Sequence, residues 1–317
     1  MKQDVPIENK EFSIVIPVFN SEDTLDELQS RIKSVFSQIT DRYELILVDD
    51  CSMDNSWDKL KQLHKINDNV KIIHLVRNFG QHNAILCGLN YCSGNYVIIM
   101  DDDLQHPPEE IPKLIQKISE DYMVVYGKYE IKRHGILQNI LSNIFQEFIH
   151  YILKIPKHVY ITSFAIFKKE TVKNVTSFRS SYVFLPALIS KSVSTNKITN
   201  VNVQHNERLY GTSNYNIIKY IQYSLNLIIN YSSILLKIVG IFGILISVAS
   251  MIFGMSIIIR KFFEPSYGVM GWNSLMVAIT LLGGIILMSV AIIGEYLRRI
   301  LAEISYDQPY LIGEMEL

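Results

Sequence analysis

This 317-residue chain has few cysteines and little net charge, and its first residues are not apolar. Its three cysteines form no Cys-x-x-Cys pair, so neither a disulfide framework nor a zinc site is expected. The net charge of -1 and the pI of about 6.7 argue against a partner such as nucleic acid, which is usually held by a basic surface. Residues 1–11 are polar and lack the apolar core of a secretory signal. We therefore expect a reducing compartment, no nucleic acid, and a first domain that stays in the cytosol.

Charge is also nearly absent from two long stretches near the C-terminus. Residues 234–259 contain only Lys237, and residues 272–294 contain no charged side chain. Each stretch exceeds the ~20 residues that cross a bilayer, which predicts a two-helix transmembrane hairpin. Two buried core helices are the alternative. Glycines within the hairpin favour close packing between copies, so a homo-oligomer is expected.

The hairpin divides the chain into segments. We expect an α/β domain at 1–213, an interfacial amphipathic helix at 214–231 in contact with membrane lipids, the two spans within 232–296, and a cytoplasmic tail at 297–317. Another amphipathic helix is expected at 135–155. These boundaries describe an integral membrane protein with its first domain in the cytoplasm.

Strand-like and helix-like segments alternate through the first hundred residues. The apolar runs lie at 12–17, 43–48, 70–75 and 96–100, and the helix-permissive segments lie at 21–39, 55–66 and 81–91. This alternation predicts a parallel sheet wrapped by helices. Ligands of such sheets bind outside the carboxyl ends of the strands. The residues that follow each predicted strand are therefore the candidate site.

Three consecutive aspartates, Asp101, Asp102 and Asp103, directly follow the fourth predicted strand, and Gln105 comes two residues later. Carboxylates at i and i+2 can approach one divalent cation, and Mg²⁺ or Mn²⁺ prefers such oxygen ligands. A solvated acidic turn is the simpler explanation of an Asp-x-Asp pair. Its position at a strand end, beside other polar strand ends, favours the metal site.

Polar residues also follow the other three strands. Asp50 is suited to accept hydrogen bonds from a base or a ribose, and Phe19 is suited to pack against the base. Arg77 and Gly80 suit a diphosphate. By contrast, Asp54 and Ser52 are as readily explained by a helix cap and a turn.

Four short motifs, one at the end of each predicted strand, resemble those of a known family. They are P-V-F-N at 17–20, V-D-D-x-S at 48–52, R-N-F-G at 77–80 and D-D-D-L-Q-x-P-P at 101–108. Together they resemble family 2 glycosyltransferases with the α/β GT-A fold of nucleotide-diphospho-sugar transferases. Within that family the chain most resembles the polyprenyl-phosphate glycosyltransferases, including dolichol-phosphate mannose synthases and bactoprenol glucosyltransferases. The two C-terminal spans and G-E-Y-L-R-R at 294–299 extend the resemblance to that group.

The resemblance implies roles for particular residues. Asp101, Asp103 and Gln105 would hold the metal, with Asp103 also catalytic. Arg208, in a basic segment before the membrane, would face the donor diphosphate or the lipid phosphate. A nucleotide-binding set is also implied: Pro17, Phe19, Asn20, Glu22, Asp50, Arg77, Gly80, Asp101, Asp102 and Ser213.

One departure from the family affects the expected mechanism. Many relatives have Gly-Asp-Phe-Arg where this chain has Thr162 to Ala165, which places Ser163 at the position of a catalytic carboxylate. An active enzyme is still expected, since a phosphate acceptor needs no strong base. The expected reaction is inverting transfer of one hexose-type sugar from a nucleotide-sugar, with UDP favoured, to polyprenyl phosphate. The alternatives are an inactive membrane-bound nucleotide-sugar-binding subunit and a family 2 transferase with another lipid or glycan acceptor.

Overall fold

The computed structural model describes residues 11–129, 147–206, 271–304 and 308–317, together with scattered positions between 238 and 263. Residues 148, 154, 179 and 181 are not among those described. The chain forms two compact units. The first consists of Met1–Tyr215 and Asp307–Leu317, and the second of Asn216–Tyr306. The amphipathic helix expected at 214–231 lies outside the described residues, as does most of the one expected at 135–155 and most of the first expected span.

The first unit is built on a sheet whose described strands follow the order β7-β5-β6-β4-β1-β2-β3-β8. The strands are β1 (Phe12–Val18), β2 (Tyr43–Asp49), β3 (Val70–Leu75), β4 (Tyr96–Ile99), β5 (Val124–Tyr129), β6 (Ala165–Lys168), β7 (Ile198–Val203) and β8 (Ile312–Glu316). Every residue of β1 and β2 is buried, because both strands lie in the interior of the sheet with helices over them.

Helices connect the first four strands, as the alternating pattern predicts. The described α-helices of this unit are α1 (Leu25–Phe36), α2 (Ser56–Ile66), α3 (Gln81–Asn90), α4 (Ile111–Ile118), α5 (Lys169–Ser177) and α6 (Leu185–Ser192). In α1 the buried residues Leu25, Leu28 and Ile32 recur every three or four positions and join the main apolar core. That spacing aligns one apolar face of the helix with the sheet.

The sheet is mixed rather than wholly parallel. Strands β1 to β4 run parallel to their neighbours among themselves, but β6 lies antiparallel between β4 and β5. The expected parallel sheet is thus correct for one half only. A short apolar run predicts a strand without predicting its direction.

The C-terminal residues also contribute to the sheet. Strand β8 pairs antiparallel with β3, with Ile73 opposite Met315 and His74 opposite Glu314. Glu314 accepts a hydrogen bond from the Trp57 indole at 3.3 Å. The tail expected at 297–317 therefore ends in a strand that its local pattern does not predict.

The described part of the second unit is dominated by α7 (Trp272–Ile304), a helix of 33 residues that includes the second expected span. Several apolar side chains along it are at least half exposed, namely Leu275, Ile279, Ile286, Val290, Ile293 and Leu297. Among the residues described, no helix has the combination of length and hydropathy needed to cross a bilayer.

Candidate active site

Four loops meet at one edge of the sheet because β1, β2, β3 and β4 are parallel and end on the same side. We call residues 19–24 loop 1, residues 50–55 loop 2, residues 76–80 loop 3 and residues 100–107 loop 4. All but two of the predicted site residues in the first unit's described part lie in these loops. The exceptions are Pro17, buried inside β1, and Ser163, just before β6.

Loops 1 and 2 are joined by reciprocal hydrogen bonds. The Asn20 amide donates to the Ser52 hydroxyl at 2.9 Å, and the Asn20 side chain accepts from the Met53 amide at 2.8 Å. The Glu22 carboxylate accepts from both the backbone and the side chain of Asn55, at 3.0 and 2.8 Å. Asn20 and Glu22, which are predicted to line a nucleotide pocket, therefore also link loop 1 to loop 2.

Asp50 joins loop 2 to loop 3. Its two carboxylate oxygens accept hydrogen bonds from the amides of Phe79 and Gly80, at 2.7 and 2.8 Å. Burial raises the pKa of Asp50, and the two amide donors oppose that rise. Gly80 has φ +90°, a conformation that favours glycine, and it precedes the first turn of α3. The V-D-D and R-N-F-G motifs thus form one structural element.

The mouth of the site carries an exposed cation and an exposed ring. The Arg77 guanidinium lies 4.7 Å from the centroid of the Phe79 ring. Arg77 is exposed, and the Phe19 side chain on loop 1 is 43% exposed. A cation held against an aromatic face at a strand end is suited to an anionic group such as a diphosphate.

Asp101 is held by side chains from two other elements. One carboxylate oxygen accepts from the Gln81 side-chain amide at 2.6 Å, and the other accepts from the Ser163 hydroxyl at 2.5 Å. The His106 ring lies 3.8 Å from that second oxygen. Ser163 therefore lies beside the acidic turn, and its hydroxyl is a donor to a carboxylate. Gln81 was missed by sequence reasoning, although its position directly after Gly80 at the start of a helix is a usable signal.

The other two aspartates of the turn have different neighbours. Asp102 accepts hydrogen bonds from the Ser21 hydroxyl at 2.5 Å and the Phe19 amide at 3.1 Å. Burial raises the pKa of Asp102 to about 7 against these two donors, and the charges of Asp101 and Asp103 add to the rise. Asp103 accepts the backbone amide of Gln105 at 3.1 Å, which closes the turn.

The oxygen donors of this turn fit a divalent cation that shares its shell with a ligand. The charges of Asp101 and Asp103 both raise the pKa of Asp102, so the carboxylates of this turn interact with one another. Within the described part of the chain, no group of three or more His, Cys, Asp or Glu side chains is arranged to hold a metal. A Mg²⁺ or Mn²⁺ ion held by one or two carboxylates and completed by substrate phosphates has no need of such a group.

His106, at the end of the acidic turn, is buried against aromatic side chains. Its ring is 2% exposed, stacks on Phe164 with centroids 5.3 Å apart, and forms a hydrogen bond with the Tyr129 hydroxyl. Burial lowers the pKa of His106 to about 4, so the ring is neutral at pH 7. The His106 ring is therefore a local hydrogen-bonding and stacking residue.

Two predicted residues, Arg208 and Ser213, lie outside the described residues. Their roles stay predictions. The described edge therefore supplies the acidic turn and loops 1 to 3, which include Arg77.

Three comparisons with known proteins agree with this fold. The sequence profile of glycosyl transferase family 2 matches residues 13–176. The chain is 33% identical to the Bacillus subtilis glycosyltransferase YkcC over 95% of this chain and 93% of that protein. It is 30% identical to the undecaprenyl-phosphate 4-deoxy-4-formamido-L-arabinose transferase of Proteus mirabilis, over 96% and 93% of the two chains.

Among solved structures, glucosyl-3-phosphoglycerate synthase from Mycobacterium tuberculosis, in complex with phosphoglyceric acid, is similar. The TM-score is 0.52 at 19% identity, over 69% of this chain and 78% of that one. This likeness shows the fold, and the mixed α/β sheet is the GT-A fold that the motifs implied. With a profile match over half the chain and end-to-end similarity to named relatives, the chain belongs to glycosyl transferase family 2 and is a glycosyltransferase.

Proposed function

We propose that this glycosyltransferase moves one sugar from a nucleotide-sugar to polyprenyl phosphate, with inversion at the anomeric carbon. The observation that carries the proposal is the extent of the similarity. The family profile ends at residue 176, yet relatives named undecaprenyl-phosphate transferases match over 305 residues, 96% of this chain. The part shared with these relatives thus includes the C-terminal third, which the family profile does not cover.

The donor's diphosphate would bind at loop 4. Asp101 and Asp103 would hold a divalent cation, Mg²⁺ or Mn²⁺, with Gln105 beside them. When bound, that cation neutralises charge on the departing nucleoside diphosphate. Arg77, exposed near the start of loop 3, adds a second positive charge at the same edge. A UDP-hexose is the favoured donor within this proposal.

The acceptor's own chemistry accounts for Ser163. A phosphate monoester has a second pKa of about 6, so its oxygen is largely ionised at pH 7 and needs no strong general base. The Ser163 hydroxyl donates to Asp101 and is not placed as a base. We assign it to positioning Asp101, while the phosphate oxygen attacks the anomeric carbon directly.

Membrane attachment through the second unit completes the proposal. The apolar stretches at 234–259 and 272–294 would anchor the chain in a bacterial-type inner membrane, with the first unit in the cytoplasm. The exposed apolar side chains of α7 support this attachment, because such a row is unfavourable in water. Holding lipid and donor at one membrane surface would replace a search in three dimensions by a local one. Retention of the protein in the membrane fraction after carbonate extraction tests the attachment.

The test is a turnover assay in detergent with undecaprenyl phosphate, Mg²⁺ or Mn²⁺, and a panel of UDP- and GDP-sugars. The wild type should form a lipid-linked sugar from one donor, and Asp103→Ala should lose that activity. Asp68→Ala, which removes an exposed carboxylate from the turn before β3 at the opposite edge, is the matched control and should keep it. Tight, metal-dependent nucleotide binding without product from any donor would instead identify a binding subunit. Product only with a different acceptor would overturn the lipid assignment.

A further inference from the structure

The four loops of the site are joined pairwise by hydrogen bonds. Loop 1 meets loop 2 through Asn20 and Ser52, and loop 2 meets loop 3 through Asp50 and the Phe79 amide. Loop 4 is then tied, through Asp101, to Gln81, the residue directly after loop 3. To link all four loops in a closed ring of hydrogen bonds, one more contact is needed, between loop 4 and loop 1.

The backbone does not extend far enough to make that junction. Between β1 and β2 the ladder runs as far as Val18 opposite Asp49, and the Asp50 amide donates to the Val18 carbonyl at 2.9 Å. Between β1 and β4 the paired residues end at Val15 opposite Ile99, followed by a bond of 3.4 Å between the Met100 amide and the Val15 carbonyl. Loop 1 is therefore fastened by backbone to loop 2, while the β1–β4 ladder stops several residues short of Phe19.

The Asp102 side chain bridges this interval. A single oxygen, Oδ2, accepts both the Phe19 amide at 3.1 Å and the Ser21 hydroxyl at 2.5 Å. Asp101, its neighbour in sequence, is bound instead by Gln81 and Ser163. Consecutive carboxylates of one turn thus serve different elements.

We infer that Asp102 is a positioning residue that closes the hydrogen-bonded circuit of the four loops and fixes loop 1 relative to the acidic turn. Its side chain does for β1 and β4 what the backbone ladder does for β1 and β2. Phe19, at the nucleotide-facing end of loop 1, is thereby held at a set distance from Asp101 and Asp103. The consequence for the proposed function, on which this inference rests, is that Asp102 governs donor binding more than the chemical step.

Three variants separate this role from a direct contact with ligand. Asp102→Ala removes the acceptor of both hydrogen bonds. Asp102→Asn keeps an oxygen that can accept both donors but removes the charge. Ser21→Ala removes one donor and leaves the acidic turn intact, so it also serves if Asp102→Ala fails to fold.

The first measurement is amide hydrogen exchange of the segment 16–24 in the protein without ligand. Asp102→Ala should lose protection there, Ser21→Ala should lose part of it, and Asp102→Asn should restore most of it. The second measurement is UDP binding in the presence of Mn²⁺. Asp102→Ala should weaken binding on the order of tenfold, as expected when hydrogen bonds to a charged group are lost. Ser21→Ala added to Asp102→Ala should have no further effect, since both remove the same junction.

In turnover, the same change should raise KM for the donor more than it lowers kcat. Unchanged exchange in Asp102→Ala would overturn the inference, and so would an Asp102→Asn variant as impaired as Asp102→Ala, which would point to the charge acting on ligand or metal. Exchange and UDP binding require neither lipid nor turnover. If those results hold while no lipid product forms, the proposed function fails and the positioning role of Asp102 stands.

Discussion

Glu44, on the edge of the sheet opposite the site, offers a quantitative test of the fold. Its side chain is 1% exposed and accepts hydrogen bonds from the Ser13 hydroxyl at 2.5 Å and the Ser93 amide at 2.6 Å. It also forms an ion pair with Lys71 at 2.8 Å. The Ser93 hydroxyl donates to the same carboxylate at 2.9 Å. Glu44→Ala would therefore leave a partly buried ammonium without its counter-charge and three donors without an acceptor.

Breaking a buried pair in this way costs about 3–5 kcal/mol of unfolding free energy. At roughly 2–4 °C per kcal/mol for a domain of this size, we expect the unfolding temperature to fall by roughly 6–20 °C. Thermal unfolding of the full chain in detergent, followed by tryptophan fluorescence, measures the shift. Lys71→Met, which replaces the cation by an apolar chain, is a companion variant. A shift within 2 °C of zero, set against the ~6 °C minimum, would refute the structural reasoning.

The same network predicts a pH dependence. Although burial opposes it, the hydrogen bonds and Lys71 leave the pKa of Glu44 lowered. A lowered folded pKa means that the stabilisation is present above the unfolded value of about 4.3 and is lost as the pH falls through the folded value. Wild-type stability should therefore decline in acid, and Glu44→Gln should show a shallower decline. Equal slopes for the two proteins would contradict the assignment.

Other outcomes follow from the same structure. Chelating divalent cations with EDTA should abolish UDP binding, and adding Mn²⁺ should restore it; calorimetry that detects full binding in EDTA would exclude the metal site. Deleting residues 308–317 should lower the unfolding temperature, because it removes β8 from the edge of β3 and the acceptor of the Trp57 indole; a truncated protein as stable as the full chain would contradict this pairing. Gly94→Ala should lower the free energy of unfolding by about 1–3 kcal/mol, because the new Cβ would lie 2.6 Å from the Ser13 backbone nitrogen. Gly313→Ala, whose new Cβ would have its nearest atom at 3.4 Å, should be tolerated. Equal unfolding midpoints for the two alanine variants would show that the Gly94 contact is relieved without cost.

Much of the first half of the fold could be predicted from the sequence because its pattern is local. The runs at 12–17, 43–48 and 70–75 are mostly apolar, and the structure places β1, β2 and β3 there. Their parallel alignment follows from the intervening helices and brings Asp50 and Asp101 to one edge. The motifs therefore predicted that these loops meet at one edge of the sheet.

The elements that sequence reasoning missed depend on contacts between distant residues. Nothing in the I-G-E-M-E of β8 indicates that it pairs with β3, about 240 positions earlier in the chain. Likewise, Asp102 and Asp101 are identical in type, and only the folded loops determine that one contacts Ser21 and the other Gln81. Local patterns predict which residues reach the site, but not which partner each one takes.

The most direct test of the central claim is the mass of the lipid product and the identity of the nucleotide released. Protein, metal, undecaprenyl phosphate and the active UDP-sugar are incubated together and analysed by mass spectrometry. Attack by the lipid phosphate on the anomeric carbon predicts a polyprenyl product with one phosphorus atom per sugar and release of UDP in equal amount. A product with two phosphorus atoms and release of UMP would show transfer of a phospho-sugar, and would contradict the account.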